Sequence, residues 1–327
     1  MIRPRLLLAL GALLLPAALG AQAPAPAPPA PPAAAATAEL ATRFDPPLDK
    51  VLRYRLTQEK VRDGAVEQST MDQEITYARS GDHVVMTVRP VRMGNAKGSI
   101  DLTDPKAPVP PTLKPLLAPL SFELDADGAI VRMHNWEGYK RDLNASIPVI
   151  AASAEPDPAK RPQAEAFMRD FFGKYLNASA EDAPRLVFKG WPDLLELMGV
   201  SAPAGESVET SSVAQSPLFP QPLTYKVSMR LTAPPGSGLL HIEVTSVPDP
   251  VQLRQAVTGL IEGMMKAAPS GQADRATLER ELGSMDLTST MVVDLDARSG
   301  LVRKAVMTKN MKMGGKSGME RITIEAQ

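Results

Sequence analysis

Along most of the chain, apolar and polar residues alternate with a period of two. From 225 to 231 the apolar side chains Tyr225, Val227, Met229 and Leu231 fall on odd positions, with Lys226, Ser228 and Arg230 between them. That alternation predicts a half-buried antiparallel strand with those four residues turned inward. Past Pro234-Pro235-Gly236-Ser237-Gly238, Leu240, Ile242 and Val244 alternate with His241, Glu243 and Thr245, which completes a hairpin. Similar runs meet at Arg62-Asp63-Gly64, Ser80-Gly81-Asp82, Asp127-Gly128 and Ser299-Gly300, where Gly and Asp tolerate the positive φ of tight turns. Segments 83–89, 122–124 and 292–295 read as strands of the same meander.

In a few places the period changes to that of a helix. Pro156-Asp157-Pro158 and Pro248-Asp249-Pro250 each place Asp as an N-cap, with Pro in the first turn, where its missing donor costs nothing. The first predicted helix carries Phe167, Met168, Phe171, Phe172 and Tyr175, the second Leu253, Val257, Leu260, Ile261 and Met264, each set at three- and four-residue steps. A shorter helix is predicted over 192–199, with Leu194, Leu195 and Met198 and a terminal Gly199, and another over 273–282. The fold class is therefore α+β: a mainly antiparallel, curved β-sheet with amphipathic helices packed on it.

One stretch is written twice. Residues 124–132 read LDADGAIVR and residues 295–303 read LDARSGLVR, an offset of 171. Leu52 and Tyr54-Arg55-Leu56-Thr57 precede Leu223 and Tyr225-Lys226-Val227-Ser228 by the same interval. The repeat predicts an internal duplication, with half-units over 44–154 and 205–327 and a helical segment over 155–204 between them. In that scheme Tyr54 is equivalent to Tyr225 and Asp125 to Asp296, Leu124 and Leu295 point into the core, and the two aspartates cap surface turns.

Composition adds a location. Arg3 and Arg5 precede an apolar run over 6–15, then Pro16 and small residues, the pattern of a secretory signal peptide over 1–21, with cleavage after Gly20 or Ala21. Ten strongly apolar residues are about half of the roughly 20 that span a bilayer, so no transmembrane span is expected after cleavage. An Ala/Pro-rich tether follows over 22–43, extended and polyproline-like, and the globular domain is expected over 44–327. With 0 cysteines in the chain, disulfides, thiolate metal sites and a lipid-modified N-terminal cysteine are excluded. Removing Arg3 and Arg5 from the 36 basic residues leaves 34 against 37 acidic ones, a balance that argues against a nucleic-acid partner. The expected location is periplasmic or secreted.

Candidate chemistry is sparse. Asp125, Asp127 and Gly128 suggest a calcium loop, but the twelfth position, where a bidentate Glu is needed, is Trp136. Gly314-Gly315-Lys316-Ser317-Gly318 lacks the P-loop's earlier glycine, since Asn310 stands there. His83, His134 and His241 are scattered along the chain. Methionine is the one excess, 16 residues, and Met311 and Met313 share a strand face with the spacing that copper(I) favours, with Met307 or Met319 as a third soft ligand. The alternative reading is methionine as an adaptable filler, packed in a core or lining a malleable apolar cavity. No cofactor and no metal are expected.

The segment Leu113-Lys114-Pro115-Leu116-Leu117-Ala118-Pro119-Leu120, followed by Phe122-Glu123-Leu124-Asp125-Ala126-Asp127-Gly128, resembles a family of bacterial secreted and lipoprotein-type domains of unknown function. There a Leu/Pro-rich segment precedes a strand ending in Asp-x-x-Gly. Residues 293–302 and the methionine-bearing hairpin after them fit the same style, although the lipid-modified cysteine of the lipoprotein version is missing. The resemblance supplies no catalytic residue. The architecture is also similar to that of periplasmic lipoprotein and lipid carriers, which implies a cavity between sheet and helix. Phe167, Phe171, Phe172 and Tyr175 are the candidate ligand-binding residues, because four of the chain's 14 aromatics form one stripe there. The function these observations carry is non-enzymatic binding of a lipid or other apolar ligand, or of an envelope protein. The alternatives are an exported hydrolase using carboxylates among Asp125, Glu137, Asp142 and Asp296, and a structural or protein-interaction module.

Overall fold

The computed structural model describes residues 38–110, 114, 117–188, 190–214, 221–267, 285–313 and 316–327. The segments expected to be a signal peptide and most of the tether, the helix expected over 273–282 and the glycines Gly314 and Gly315 lie outside the described residues. Unit Ala38–Gln327 is a sheet-dominated α+β fold.

Twelve strands among the described residues form one curved antiparallel sheet, built as two meanders. The first comprises β2 (Leu52–Arg62), β3 (Ala65–Ser80), β4 (His83–Asn95), the short β5 (Gly98–Asp101), β6 (Leu120–Leu124) and β7 (Ile130–Met133). The second comprises β9 (Ser207–Ala214), β10 (Leu223–Thr232), β11 (Leu239–Pro248), β12 (Asp286–Asp296), β13 (Val302–Met313) and β14 (Lys316–Ala326). They are joined where the first long strand meets the last, with Tyr54 opposite Ala326 and Arg62 opposite Gly318. The predicted turns all fall at hairpin ends. Asp63 (φ 49°) and Gly64 (φ 82°) form the two-residue link between Arg62 and Ala65, with both central residues at the positive φ that matches strand twist.

The helices are α1 (Trp136–Ala154), α2 (Arg161–Phe171), α3 (Gly173–Leu176), α4 (Ala183–Val187), α5 (Trp191–Leu195) and α6 (Pro250–Ala267). Asp249 caps α6 as its spelling demands, its Oδ1 accepting the N–H groups of Val251 (3.0 Å) and Gln252 (2.9 Å). Asp157 instead closes a turn, accepting from Ala159, and α2 begins three residues after Pro158. The longest helix among the described residues, α1, was not foreseen. Its Trp136, Tyr139, Leu143, Ile147 and Ile150 are buried at helical spacing, around an internal Pro148.

One corner of the fold lies ahead of Phe44. Glu39–Ala41, placed in the tether on composition, form β1, paired with β8 (Ser201–Pro203). Thr42 is buried, its Oγ1 donating to the Leu197 carbonyl (2.7 Å) and accepting from the Val200 N–H (2.9 Å). The folded part therefore starts before 44.

The topology does not carry the duplication at the level of half-units. Two strands, β3 and β4, stand between Tyr54's strand and β6, whereas only β11 stands between Tyr225's strand and β12. Tyr54 and Tyr225 thus hold different places in their meanders. The two turns themselves are alike. Asp125 Oδ1 accepts from Asp127 and Ala129 N–H, Asp296 Oδ1 from Arg298 and Ser299 N–H, and Leu124 and Leu295 are fully buried. Both close on Phe44 or its neighbour Arg43. A Cβ on Gly128 would meet the Phe44 ring at 2.5 Å, and one on Gly300 would meet the Arg43 carbonyl oxygen at 1.6 Å.

Candidate ligand-binding surface

Strand register sorts the inner face of the sheet into rows, because directly paired residues point to the same side. One row runs Ile324, Ala305, Val293, Ile242, Leu231 across β14 to β10, and each is fully buried. Two residues further along each strand, the next row reads Gln58, Ile322, Met307, Met291, Val244, Met229, Val208 from β2 to β9. Within this row Met307 is buried and the others are half-buried. Leu56, Met71 and Met93 continue the apolar surface across β2, β3 and β4, also half-buried. A third row, Lys60, Glu320, Lys309, Ser289, Ser246, is polar from β2 to β11 and ends in the apolar Val227 on β10. The methionine row is thus the boundary between a dry core and a polar rim.

The dry row is covered by a plug of aromatic residues. Phe188 stacks on Phe122 (ring centroids 4.6 Å) and on Trp191 (5.9 Å), and Trp191 meets Tyr54 edge-on (5.1 Å). Trp191 Nε1 donates to Gln73 Oε1 (3.3 Å), and Gln73 Nε2 contacts Met71 Sδ (3.4 Å), so this buried amide is satisfied. Gly190, at φ 82°, lets the chain approach closely: a Cβ there would be 2.8 Å from Met307 Cε. Where plug and methionine row meet, a recess of about 390 Å³ opens, with Phe188, Met307 and Ile322 on its walls and Lys309 and Glu320 at its lip. Gln58 Nε2 donates to Glu320 Oε1, fixing that carboxylate at the rim.

A second recess, about 560 Å³, lies at the end of the sheet where β13 leaves β14, and it is rimmed by Arg53, Arg89 and Arg303 over Tyr54. Burial pushes the Tyr54 hydroxyl up to about 12, opposed by the Arg303 charge. The outer face carries cross-strand ion pairs, among them Arg55–Asp72 (2.7 Å), Lys304–Glu325 (2.6 Å) and His241–Asp294 (2.7 Å).

The structure scatters most of the sequence candidates. Phe167 (63% exposed) and Phe171 (57%) face solvent, and α2 buries no residue, whereas Phe172 and Tyr175 pack against the core. The stripe is therefore split and does not face the sheet as a unit. Asp125 and Asp296 are each committed to their own turn. Glu137 pairs with Lys140 and Asp142 with Arg141, both on exposed stretches of α1. Met319 pairs with Asn310 and so lies on the opposite face from Met311, and Met307 is four residues, roughly 13 Å, from Met311. Neither completes a site with Met311, and the Met313 side chain lies outside the described residues. Among the described residues no cluster of three His, Asp or Glu could hold a metal, and no helix is long and apolar enough to cross a membrane. The methionine row itself went unrecognised in the sequence. Its signal, methionine on the inward phase of Met229, Met291 and Met307, becomes visible only once β10, β12 and β13 are known to be neighbours or near neighbours.

No family model matches the chain, and no curated protein does. Among solved structures it is similar to lipovitellin, solved for its lipid–protein interactions (TM-score 0.44, 9% identity), over 86% of this chain and 25% of that one, so it spans about a quarter of that protein. A domain from Vibrio parahaemolyticus assigned to outer membrane lipoprotein sorting matches at TM-score 0.15 and 10% identity, over 84% of this chain and 85% of that one. MucB in complex with MucA(peri) matches at TM-score 0.12 and 11% identity, over 84% of this chain and 89% of that one.

Proposed function

We propose that this chain is an exported, non-enzymatic binder of an apolar ligand, of the class of a lipid acyl chain, held along the methionine row of the inner sheet face. The observation that carries the reading is the row Ile322, Met307, Met291, Val244, Met229, half-buried except at Met307, with a recess at its covered end and a polar row beside it. Unbranched, polarizable thioethers adapt to a chain of variable shape. The polar row would keep a bound headgroup wet. Phe167 and Phe171 remain part of this reading as the exposed aromatic pair at which the ligand or an envelope partner makes first contact. Export rests on the signal-peptide pattern at 1–21 and is tested by fractionating cells that express the full chain.

Native mass spectrometry after gentle purification, with uptake of a hydrophobic fluorescent probe, tests the binding. Co-purified lipid or saturable uptake is expected, with uptake lost in Met291→Glu and slowed in Phe167→Ser/Phe171→Ser. A protein that carries nothing and takes up no probe overturns the proposal.

A further inference from the structure

The geometry points to a second, separate binding site, for an amphiphilic anion, a phosphate or carboxylate group bearing an apolar tail, in the recess between Arg53, Arg89 and Arg303. The recess exists because the ladder breaks there. Pairing of β13 with β14 ends at Lys304 opposite Glu325, while β14 and β2 stay paired out to Ala326 and Tyr54. A register shift at Asp294/Leu295 bends the neighbouring strand, and Leu301, Val302 and Arg303 swing clear to form one wall.

Guanidinium groups in this wall outnumber the side-chain carboxylates that pair with them. Arg53 and Arg89 share one carboxylate, Glu74, which accepts from both, while Arg303 is matched by Asp296. Two guanidinia on one side-chain carboxylate leave N–H donors over, and Arg53 and Arg89 are 71% and 55% exposed. Guanidinium forks match the oxygens of phosphate and carboxylate. Beside them Val51 is 56% exposed and Leu301 half-buried. A bare inorganic anion would satisfy the charge and leave this apolar wall wet, and a neutral lipid would do the reverse. An anion with a tail satisfies both.

Calorimetric titration of the full chain with decyl phosphate below its micellar concentration, inorganic phosphate and 1-decanol tests this. Decyl phosphate should bind at least roughly tenfold more tightly than either of the others, and added salt should weaken it. Arg53→Gln/Arg89→Gln should weaken it by about tenfold or more, as should Val51→Asp at an exposed position where folding is not at stake. Arg55→Gln, two residues away and paired with Asp72, should not. Met291→Glu should leave it intact, which separates this site from the methionine row. Phosphate or decanol binding as tightly as decyl phosphate would overturn the assignment. So would an Arg53/Arg89 double variant that binds like the parent, or no binding of decyl phosphate.

Discussion

Asp125 and Asp296 perform the same local task with different support. Each Oδ1 accepts two backbone N–H groups of its turn, an interaction that asparagine reproduces. Asp296 also accepts from Arg303 through Oδ2 (2.8 Å), and that guanidinium, with the Ser299 N–H, holds its carboxyl well below the usual carboxylate range. Asp125→Asn should therefore be nearly silent, and Asp296→Asn should cost about 1 kcal/mol, since the arginine is half-exposed and screened. The sign with pH follows from the lowered folded value. The contribution is fully present above the unfolded pKa of about 4 and is lost as pH falls through the folded one, so parent and variant melts should converge in acid. His241 behaves oppositely. The Asp294 carboxylate, and after it Glu243, raise its pKa above the ordinary value. Its stabilisation is present below about pH 6.5 and is lost as pH rises through the folded value. A proton NMR titration should show that raised value, and Asp294→Asn should bring it down.

Hairpins were legible in the sequence because turn chemistry and period-two alternation act over a few residues. Asp63-Gly64 and the inward phase of Leu231, Leu240 and Ile242 stand where the pattern puts them. Helices were less so. In α1 the stripe from Trp136 to Ile150 is present in the sequence, and tertiary burial of that stripe carries the helix through Pro148 against its low propensity. Composition also misplaced the start of the fold: Glu39–Ala41 are stabilised by pairing with β8, a partner about 160 residues away that no local rule reveals. Because residues 43–45 run against both turns, the repeated stretch acquires a physical role as two seats for one strap. Gly300→Ala tests it. The new methyl would overlap the Arg43 carbonyl and strain a residue at φ 70°. The strap should then lift, giving faster proteolysis near Arg43 and a cost of about 1–3 kcal/mol. Gly236→Ala, at a similar φ but with open space around it, should leave the strap protected.

At the scale of the molecule, what the sequence withheld is the order of strands, because the contacts that join β2 to β14 span the whole chain. The methionine row exists only in that order, and its meaning turns on whether it is the worn edge of a core or a surface built to be covered. Two variants separate those readings. Trp191→Phe removes volume from the plug and leaves the Gln73 carbonyl oxygen without its donor, so it should cost about 2–4 kcal/mol and lower Tm by several degrees. The recess walls at Phe188, Met307 and Ile322 remain, so probe affinity should change little. Met291→Glu places a carboxylate on a half-buried position that water already reaches, and should cost less in Tm while abolishing uptake. In the parent, saturating ligand should raise Tm, since a ligand at about 100 times its Kd adds roughly 2.7 kcal/mol to the folded state. If Met291→Glu destabilises as much as Trp191→Phe and the parent's Tm ignores every apolar ligand, the row is core margin alone. A low-cost, binding-null Met291→Glu beside a high-cost, binding-competent Trp191→Phe would instead assign stability to the plug and ligand binding to the methionines.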